Sequence, residues 1–157
     1  MKKIFLSCFL SILAAIGWYS FREMNEFDNI HCYSQLSYVF YSDKDKVQKH
    51  VMNAGLIMNL SGAKGIISLS GNLDNLYSIR RNAEFTYTVS DKNLFSLHTT
   101  KVNLYPSDNI PDDLSARYVY GYLSEEGKMQ DIIIKSNGSN GYMISTSPIP
   151  QFVCRKL

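Results

Sequence analysis

The sequence lacks an excess of charge of either sign beyond its first three residues. Its 157 residues include 16 Lys and Arg against 14 Asp and Glu, a formal net charge of +2. Lys2 and Lys3 account for that excess, which leaves residues 4–157 with equal numbers of basic and acidic side chains. A protein that binds the phosphate backbone needs a basic face. The sequence therefore argues against direct binding to nucleic acid.

The sequence also lacks the residue spacings that metal and catalytic sites require. His31, His50 and His98 are scattered, and none lies three or four residues from another His or a Cys. No serine lies in a G-x-S-x-G turn, and no phosphate-binding loop is present. The adjacent acidic pairs at 112–113 and 125–126 indicate a helix start and a solvated turn. We therefore expect no enzyme, no bound metal and no cofactor.

Residues 4–21, "IFLSCFLSILAAIGWYSF", lack charge altogether. A helix of this length covers roughly 27 Å, close to the ~30 Å hydrocarbon core of a bilayer. Trp18 and Tyr19 stand at its far end, as aromatic residues do at membrane interfaces. Basic residues precede the stretch and mainly acidic ones follow it, which places the N-terminus in the cytoplasm. The predicted layout is a cytoplasmic tail (1–3), a transmembrane signal anchor (4–21) and an exported β-rich domain (22–157) of a single-pass membrane protein.

Three other interpretations of this stretch remain open. Ala15-Ile16-Gly17 fits the small-residue cleavage site of a secretory signal, which would remove the segment. A lipoprotein signal could end at Cys8, although few residues separate Cys8 from Lys3. A buried core helix would normally carry a polar stripe, and this segment has none. All interpretations except the core helix place residues 23–157 outside the cytoplasm.

The remainder of the chain alternates apolar and polar residues with the period of β-strands. In "YSIRRNAEFTYTVSD", for example, Ala83, Phe85 and Tyr87 face one way and Glu84 and Thr86 the other. Gly- and Asn-containing turns separate such segments. The predicted strands span 29–41, 54–62, 66–73, 77–91, 94–105, 129–136, 141–147 and, as a short last strand or coil, 152–154.

This string of strands predicts a mainly β (β-rich α+β) fold, a small antiparallel β-barrel or strongly curved sheet that is lipocalin-like and has one short helix. The helix is predicted over 111–121, since Pro111 suits a first helical turn. Gly71 and residues 80–82 predict a bend or bulge. An open sheet packed on the helix is the alternative to a barrel.

Cysteine is scarce, with Cys8 in the apolar stretch and only Cys32 and Cys154 beyond it. Two thiols in an oxidising compartment most often pair. These two lie near opposite ends of the exported domain, and domain termini are often close together. We therefore predict a Cys32–Cys154 disulfide, the alternative being two separate buried thiols. Pro148 and Pro150 indicate an extended approach to Cys154 that is not a central strand.

Aromatic residues, by contrast, are abundant, with 11 Tyr and 8 Phe against one Trp. Rings on a concave sheet can line a cavity for a flat amphipathic ligand, or they can simply form the core. Both interpretations remain open for the candidate lining residues, which are Tyr38, Phe40, Met58, Phe85, Tyr87 and Tyr120, and for the neighbouring Tyr118 and Tyr122.

Several of these segments together resemble a known family. A short basic tail, one N-terminal membrane segment and a cysteine on the first strand precede "GIISLSGNLDNLYSIRRNAEFTYTV" (65–89) and "GYMISTSPIPQFVC" (141–154). This pattern is similar to that of the FidL-like bacterial membrane proteins and covers nearly the whole chain.

The resemblance implies a role as well as a layout. FidL-like proteins are similar in layout to ToxS and VtrC, the small partners of ToxR-like transmembrane transcription regulators. It implies that this chain forms a heterodimer with the periplasmic domain of a membrane-bound winged-helix regulator and stabilises it or transmits a signal, in virulence regulation. It also implies a bile-salt-like or fatty-acid-like ligand.

The chief alternative function is a stand-alone exported lipocalin-like carrier of an apolar small molecule. A secreted hydrolase or inhibitor is a third, which the residue inventory does not support.

Overall fold

The computed structural model describes Ile12 and residues 29–41, 49–91, 93–146 and 149–157. Within these residues, no helix combines the length and the apolar character needed to cross a membrane. The predicted tail and all of the predicted span except Ile12 lie outside the described residues, so the membrane anchor stays a prediction.

Eight antiparallel strands follow one another around a closed barrel, each hydrogen-bonded to its neighbours in sequence. The mainly β prediction and its barrel alternative are therefore confirmed, and the open sheet is wrong. The strands are β1 (Asn29–Tyr41), β2 (Lys49–Ser61), β3 (Lys64–Leu73), β4 (Tyr77–Ser90), β5 (Leu94–Leu104), β6 (Met129–Ser136), β7 (Gly141–Thr146) and β8 (Ile149–Lys156).

The core fills the barrel because each strand turns alternate residues inward. In β1, Ile30, Cys32 and Leu36 are buried, and the residues between them are mostly exposed. The largest fully buried side chains come from seven elements of the barrel and its cap: Phe95, Ile30, Met52, Leu56, Met58, Leu60, Ile67, Leu73, Ile79, Leu97, Leu123 and Ile132. Side chains thus occupy the space that a ligand occupies in a lipocalin.

Gly71 allows β2 and β3 to approach closely at one point of the wall. It pairs with Ala54, and a Cβ atom on Gly71 would collide with the Asn53 carbonyl oxygen and with Ala54. Gly71 pairs in register with both neighbouring strands, so the bulge predicted there is wrong, and the role of this glycine is close backbone approach.

The bulge lies elsewhere than predicted. Residues 80–82 pair in register with β3, and Arg81 and Asn82 also pair in register with β5. The register shift falls instead between Glu84 and Phe85, where Thr100 of β5 has no partner and its hydroxyl donates to the Glu84 carbonyl oxygen (3.1 Å). The prediction at 80–82 is wrong because Arg81 is an inward-facing core residue with a buried partner, so a charge in the pattern did not mark a break.

One α-helix, α1 (Asp112–Tyr118), follows Pro111, whose φ of −58° suits a helix start. It is shorter than the predicted 111–121, because Val119 adopts an extended conformation that ends the helix. A 3₁₀ turn (Gly121–Leu123) continues the connection between β5 and β6, and a second one (Gly138–Asn140) joins β6 to β7. We call residues 105–125 the cap, since they close one end of the barrel.

The C-terminal segment is a full strand that closes the barrel. β8 runs from Ile149 to Lys156 and pairs along β7, which corrects the prediction that this proline-containing tail is not a central strand. The prolines did not exclude a strand because Pro150 lies near its beginning, beside the register shift at Ile144/Ser145.

The Cys32–Cys154 disulfide is confirmed. It joins β1 to β8 across a sequence separation of 122 residues, with 5.4 Å between the two Cα atoms, and both cysteines are fully buried. The β-ladder between these two strands contains only the pairs Cys32–Lys156 and Tyr33–Arg155. The covalent bond therefore reinforces the shortest ladder of the barrel.

Replacing Cys32 with Ser should lower the free energy of unfolding by about 2–5 kcal/mol, because the unfolded chain regains the entropy that a long cross-linked loop denies it. Chemical denaturation measured with and without reductant would detect the loss. Cys8→Ser is the matched control and should leave both the denaturation midpoint and the reductant-dependent electrophoretic shift unchanged. Equal shifts in Cys32→Ser and the parent would contradict the bridge.

Candidate functional site

In β1, the backbone N–H and C=O groups of every second residue point toward β8. Val51 donates its N–H to the Asp74 carboxylate (2.7 Å), and its carbonyl accepts from the Asp74 N–H (2.8 Å), so its polar backbone groups point away from β1. Val39, its partner in the β1–β2 ladder, must therefore turn its own N–H and C=O toward β8. The same alternation applies at His31, whose carbonyl accepts from Leu157 (3.0 Å).

Beyond Tyr33 the ladder between the two strands ends. Gln35, Ser37 and Val39 share the β8-facing orientation, yet no ladder pair joins them to β8. We call this region, residues 34–41 of β1 and 149–154 of β8, the seam. In this part of the described barrel, β1 has backbone N–H donors that no ladder pair joins to β8.

Two side-chain hydroxyls bridge the seam. Ser34 donates to the Val153 carbonyl oxygen (2.8 Å), and Tyr38 donates to the Gln151 carbonyl oxygen (3.1 Å). Both carbonyls point toward β1 and would accept from its backbone in a regular sheet. Hydroxyl groups thus satisfy the β8 carbonyls where the β1–β8 ladder is absent.

The seam opens into a cleft of about 320 Å³ beside the cap. Rings form most of its wall: Phe40 packs against Tyr118 with 4.8 Å between ring centroids, and Tyr38 meets Tyr120 edge to face at 6.4 Å. The complete lining is Tyr38, Phe40, Met52, Arg117, Tyr118, Val119, Tyr120 and Gln151. An apolar wall with a few polar groups is typical of small-molecule sites and of pockets for a partner's side chain.

The polar floor of the cleft is a hydrogen-bonded group of two tyrosines and Gln151. The Tyr120 hydroxyl donates to the Gln151 side-chain oxygen and lies 3.1 Å from the Tyr38 hydroxyl. The Gln151 amide in turn donates to the Thr146 hydroxyl (2.8 Å). These bonds fix the tyrosine rings in position. The hydroxyl oxygens can still accept a hydrogen bond from a ligand or a partner protein.

Tyr120 of the cleft and the neighbouring Tyr122 both have raised pKa values. Burial raises the pKa of Tyr120 far above its usual value of 10, and the hydrogen bond with Tyr38 raises it further. Burial likewise raises the pKa of Tyr122, whose ring stacks on Tyr120 at 5.4 Å. Neither phenol supplies a negative charge to the cleft at neutral pH.

Arg117 supplies the charge of the cleft. Its side chain is exposed at the C-terminal turn of α1 and lines the opening. Within the described part of the chain, no carboxylate lies within ion-pair distance of it. The cleft is therefore an aromatic surface with one exposed cation at its edge.

A buried ion pair positions the cap and with it one wall of the cleft. The Arg81 guanidinium binds the Asp108 carboxylate at two points (2.9 and 2.8 Å), and both side chains are at most 4% exposed. Arg81 also donates to the hydroxyl of Ser115 in α1 (2.9 Å). Breaking such a pair typically costs 3–5 kcal/mol, since one charge would remain buried alone.

His50 supports the same wall from β2. Its ring lies 5.0 Å from that of Tyr118, and its Nδ1 atom lies 2.6 Å from the Asp74 carboxylate. For Asp74, burial acts to raise the pKa, but the bonds from the Val51 N–H and His50 outweigh it and hold the pKa below its usual value.

The structure separates the six candidate lining residues into two groups. Tyr38, Phe40 and Tyr120 line the cleft. Met58, Phe85 and Tyr87 lie instead in the barrel core with 0, 2 and 7% exposure, as the core interpretation predicted for them. The related rings also divide, since Tyr118 lines the cleft and Tyr122 is buried in the core.

Sequence reasoning missed Arg117 and Gln151 as members of the site. Gln151 is the one polar residue of "PIPQFV", and this isolated polarity is the signal that could have marked it as a residue with a polar partner. Arg117 carried no comparable signal, because its neighbours come from distant strands. Among the described residues, no three His, Cys, Asp or Glu side chains converge as a metal site would require.

Stability should fall as the pH rises above 10, because burial raises the folded-state pKa values of Tyr120 and Tyr122 above the unfolded value, so that the unfolded chain loses phenol protons that the folded chain keeps. Their contribution is fully present below pH 10. Tyr122→Phe should therefore flatten the dependence of the unfolding free energy on pH between about 10 and 11.5. Tyr41→Phe, at a ring 68% exposed, is the control. An identical slope in Tyr122→Phe and the parent would contradict this assignment.

Comparison with protein families places these elements in a known context. A family model described as "FidL-like putative membrane protein" matches residues 69–154, more than half of the chain. The match extends from β3 to Cys154 and includes the cap and the β8 side of the seam. A search of curated proteins gave no match. The chain belongs to the FidL-like family of membrane proteins.

Proposed function

We propose that this chain is an accessory subunit of the bacterial inner membrane, held by residues 4–21, whose periplasmic barrel binds the exported domain of a ToxR-like transmembrane transcription regulator. ToxS and VtrC, to which the layout is similar, offer the precedent for such a partner. The membrane character of the family supports the location, and a buried disulfide suits an oxidising compartment. Binding stabilises the regulator or transmits a signal to its cytoplasmic winged-helix domain.

The seam is the observation that carries this proposal. An edge with backbone donors at Gln35, Ser37 and Val39 is a template for an added strand, which gains affinity from main-chain hydrogen bonds. The opposite edge offers the Val153 and Gln151 carbonyls once Ser34 and Tyr38 release them. A partner strand would thus complete the barrel.

Val39→Pro tests strand addition, because it removes a seam-facing N–H that has no ladder partner in β8. Capture of the regulator encoded by a neighbouring gene, co-expressed and extracted from membranes in detergent, should fall at least tenfold in this variant. Val39→Thr keeps the N–H and should bind as the parent does, and thermal melts of both variants check folding.

The two outcomes that contradict the proposal are distinct. If Val39→Pro and Val39→Thr capture the regulator equally well, binding occurs but not by strand addition. If the parent chain captures no winged-helix membrane protein, the accessory function itself is wrong.

A second candidate function is the sensing of a small amphipathic anion, and the cleft favours it. Its volume suits one small ligand, its rings suit an apolar body, and Arg117 suits a carboxylate or sulfonate. A bile salt or a fatty acid has this chemistry. Because the cleft adjoins the seam through Tyr38 and Gln151, occupancy would alter the hydroxyl bridge that holds β8.

Titration of the detergent-free, nanodisc-embedded chain with deoxycholate or laurate, followed by calorimetry, tests the ligand proposal. Arg117→Gln should weaken binding roughly tenfold, the usual effect of losing a charge-assisted hydrogen bond. Arg155→Gln removes a cation that does not line the cleft and should not change the affinity. Equal affinities for Arg117→Gln and the parent would contradict the role of the cleft.

The lipocalin-like carrier is the alternative. A carrier holds its ligand inside the barrel, but the described interior is filled by side chains such as Phe95 and Met58, each 0% exposed. This packing supports the accessory subunit over the carrier.

A further inference from the structure

Five neighbouring strands carry no carboxylate. Around the closed barrel the order β7-β8-β1-β2-β3 is continuous, and none of the described residues in these strands is Asp or Glu. The same strands carry four cations, Lys49, Lys64, Arg155 and Lys156. Acidic residues lie instead in β4 (Glu84), in β6 (Asp131) and in the connections, and β5 carries none. The seam therefore lies in the middle of five strands whose own charged side chains are all positive, and Asp74, in the turn after β3, adds one carboxylate beside Val51 and His50 of β2.

Exposed apolar side chains border the seam on this face. Tyr33 and Val39 of β1 and Val153 of β8 are 39, 43 and 52% exposed. Ile57, the cross-strand partner of Tyr33, is 37% exposed and extends the surface onto β2. The Tyr33 ring lies over Gly55, where a Cβ atom would come within 3.1 Å of the ring. The border is thus apolar along the seam, which favours a strand with apolar residues at alternate outward positions.

Cations stand at both ends of the seam. Arg155 pairs with Tyr33, the residue at which the β1–β8 ladder stops. At the other end Arg117 lines the cleft beside Tyr38 and Gln151, and Lys49 pairs with Tyr41. The interval from Tyr33 to Tyr38, beside Arg117, accommodates a strand of about six residues at roughly 3.3 Å per residue, whereas Lys49 lies beyond the end of such a strand.

We infer that the strand accepted by the seam is a segment of about six residues of a partner protein, apolar at alternate positions and with Asp or Glu near both ends. This inference rests on the proposed function and names the chemistry of its partner. Acidic ends would pair with Arg155 at one end and with Arg117 at the other. The charges set register and orientation, while the main chain supplies most of the affinity.

A second copy of this chain fits the seam poorly. Its own β1 and β8 contain no carboxylate, so pairing of two seams would bring cations of both copies together. The same argument indicates that the partner is a different polypeptide.

The test uses the full chain in zwitterionic detergent and two synthetic peptides, each with the alternating core Val-Thr-Val-Thr. One peptide has Glu at both ends and the other has Lys. The expected results are at least tenfold tighter binding of the Glu-ended peptide at low salt, a smaller difference at 1 M salt, and amide-exchange protection at Gln35, Ser37 and Val39. Arg155→Glu combined with Arg117→Glu should reverse the preference, and the control Lys101→Glu, on β5, should retain it.

Three outcomes would overturn the inference, and they are separable from failure of the proposed function. If both peptides bind equally well and protect the seam from exchange, strand addition stands, but the inference that the partner strand has acidic ends is wrong. If the peptides protect other residues or none, and Val39→Pro still abolishes capture of the regulator, then the partner strand does not have this chemistry. Protection of the seam that grows with protein concentration without peptide assigns the seam to a second copy.

Discussion

The closure of β1 on β8 is the constraint on which the rest of the molecule depends. Every other pair of neighbouring strands is joined by a longer ladder, whereas this one has two residue pairs and a disulfide. The buried Cys32–Cys154 bond holds the barrel shut at one end, and this allows the strands to diverge at the other without opening the core. The seam and the cleft exist because closure is concentrated at one point.

The wall opposite the seam depends on a different interaction, the buried Arg81–Asp108 pair. Asp108 also accepts from the Arg80 N–H (2.8 Å), so one carboxylate fixes the connection after β5 to the edge of β4. Through Ser115 the same guanidinium holds α1, which presents Tyr118 and Arg117 to the cleft. A polar network in the core thus positions an aromatic surface, in a protein that could have buried apolar residues there at less cost in desolvation.

Sequence reasoning reached the barrel and the disulfide because both rest on strong local signals, the period-two alternation and the scarcity of cysteine. It placed β1 at its observed bounds. Three of the six candidate lining residues that it named, Tyr38, Phe40 and Tyr120, lie in the cleft. It failed at Arg81, where a charge at an inward position was interpreted as a break, and at β8, where prolines concealed a strand. Both errors have one cause, since the partner that makes such a residue tolerable lies far away in sequence: Asp108 for Arg81, and β7 for β8. Arg117 was missed for the same reason.

The proposed strand addition depends on the kind of bond that bridges the seam. Two hydroxyl-to-carbonyl bonds, from Ser34 and Tyr38, satisfy β8, and each contributes only about 0.5–1.5 kcal/mol net. An inserted strand would replace them with main-chain bonds on both of its sides and would cover Val39 and Val153. The free energy lost with the two hydroxyl bonds is small, and the free energy gained is distributed over the main-chain bonds of several residues. Insertion would therefore be favourable only for a segment long enough to form several main-chain bonds. A barrel closed by a full eighth ladder would have to break that ladder before a strand could enter, whereas this barrel would break only the bonds of two hydroxyl groups, which favours the strand addition proposed above.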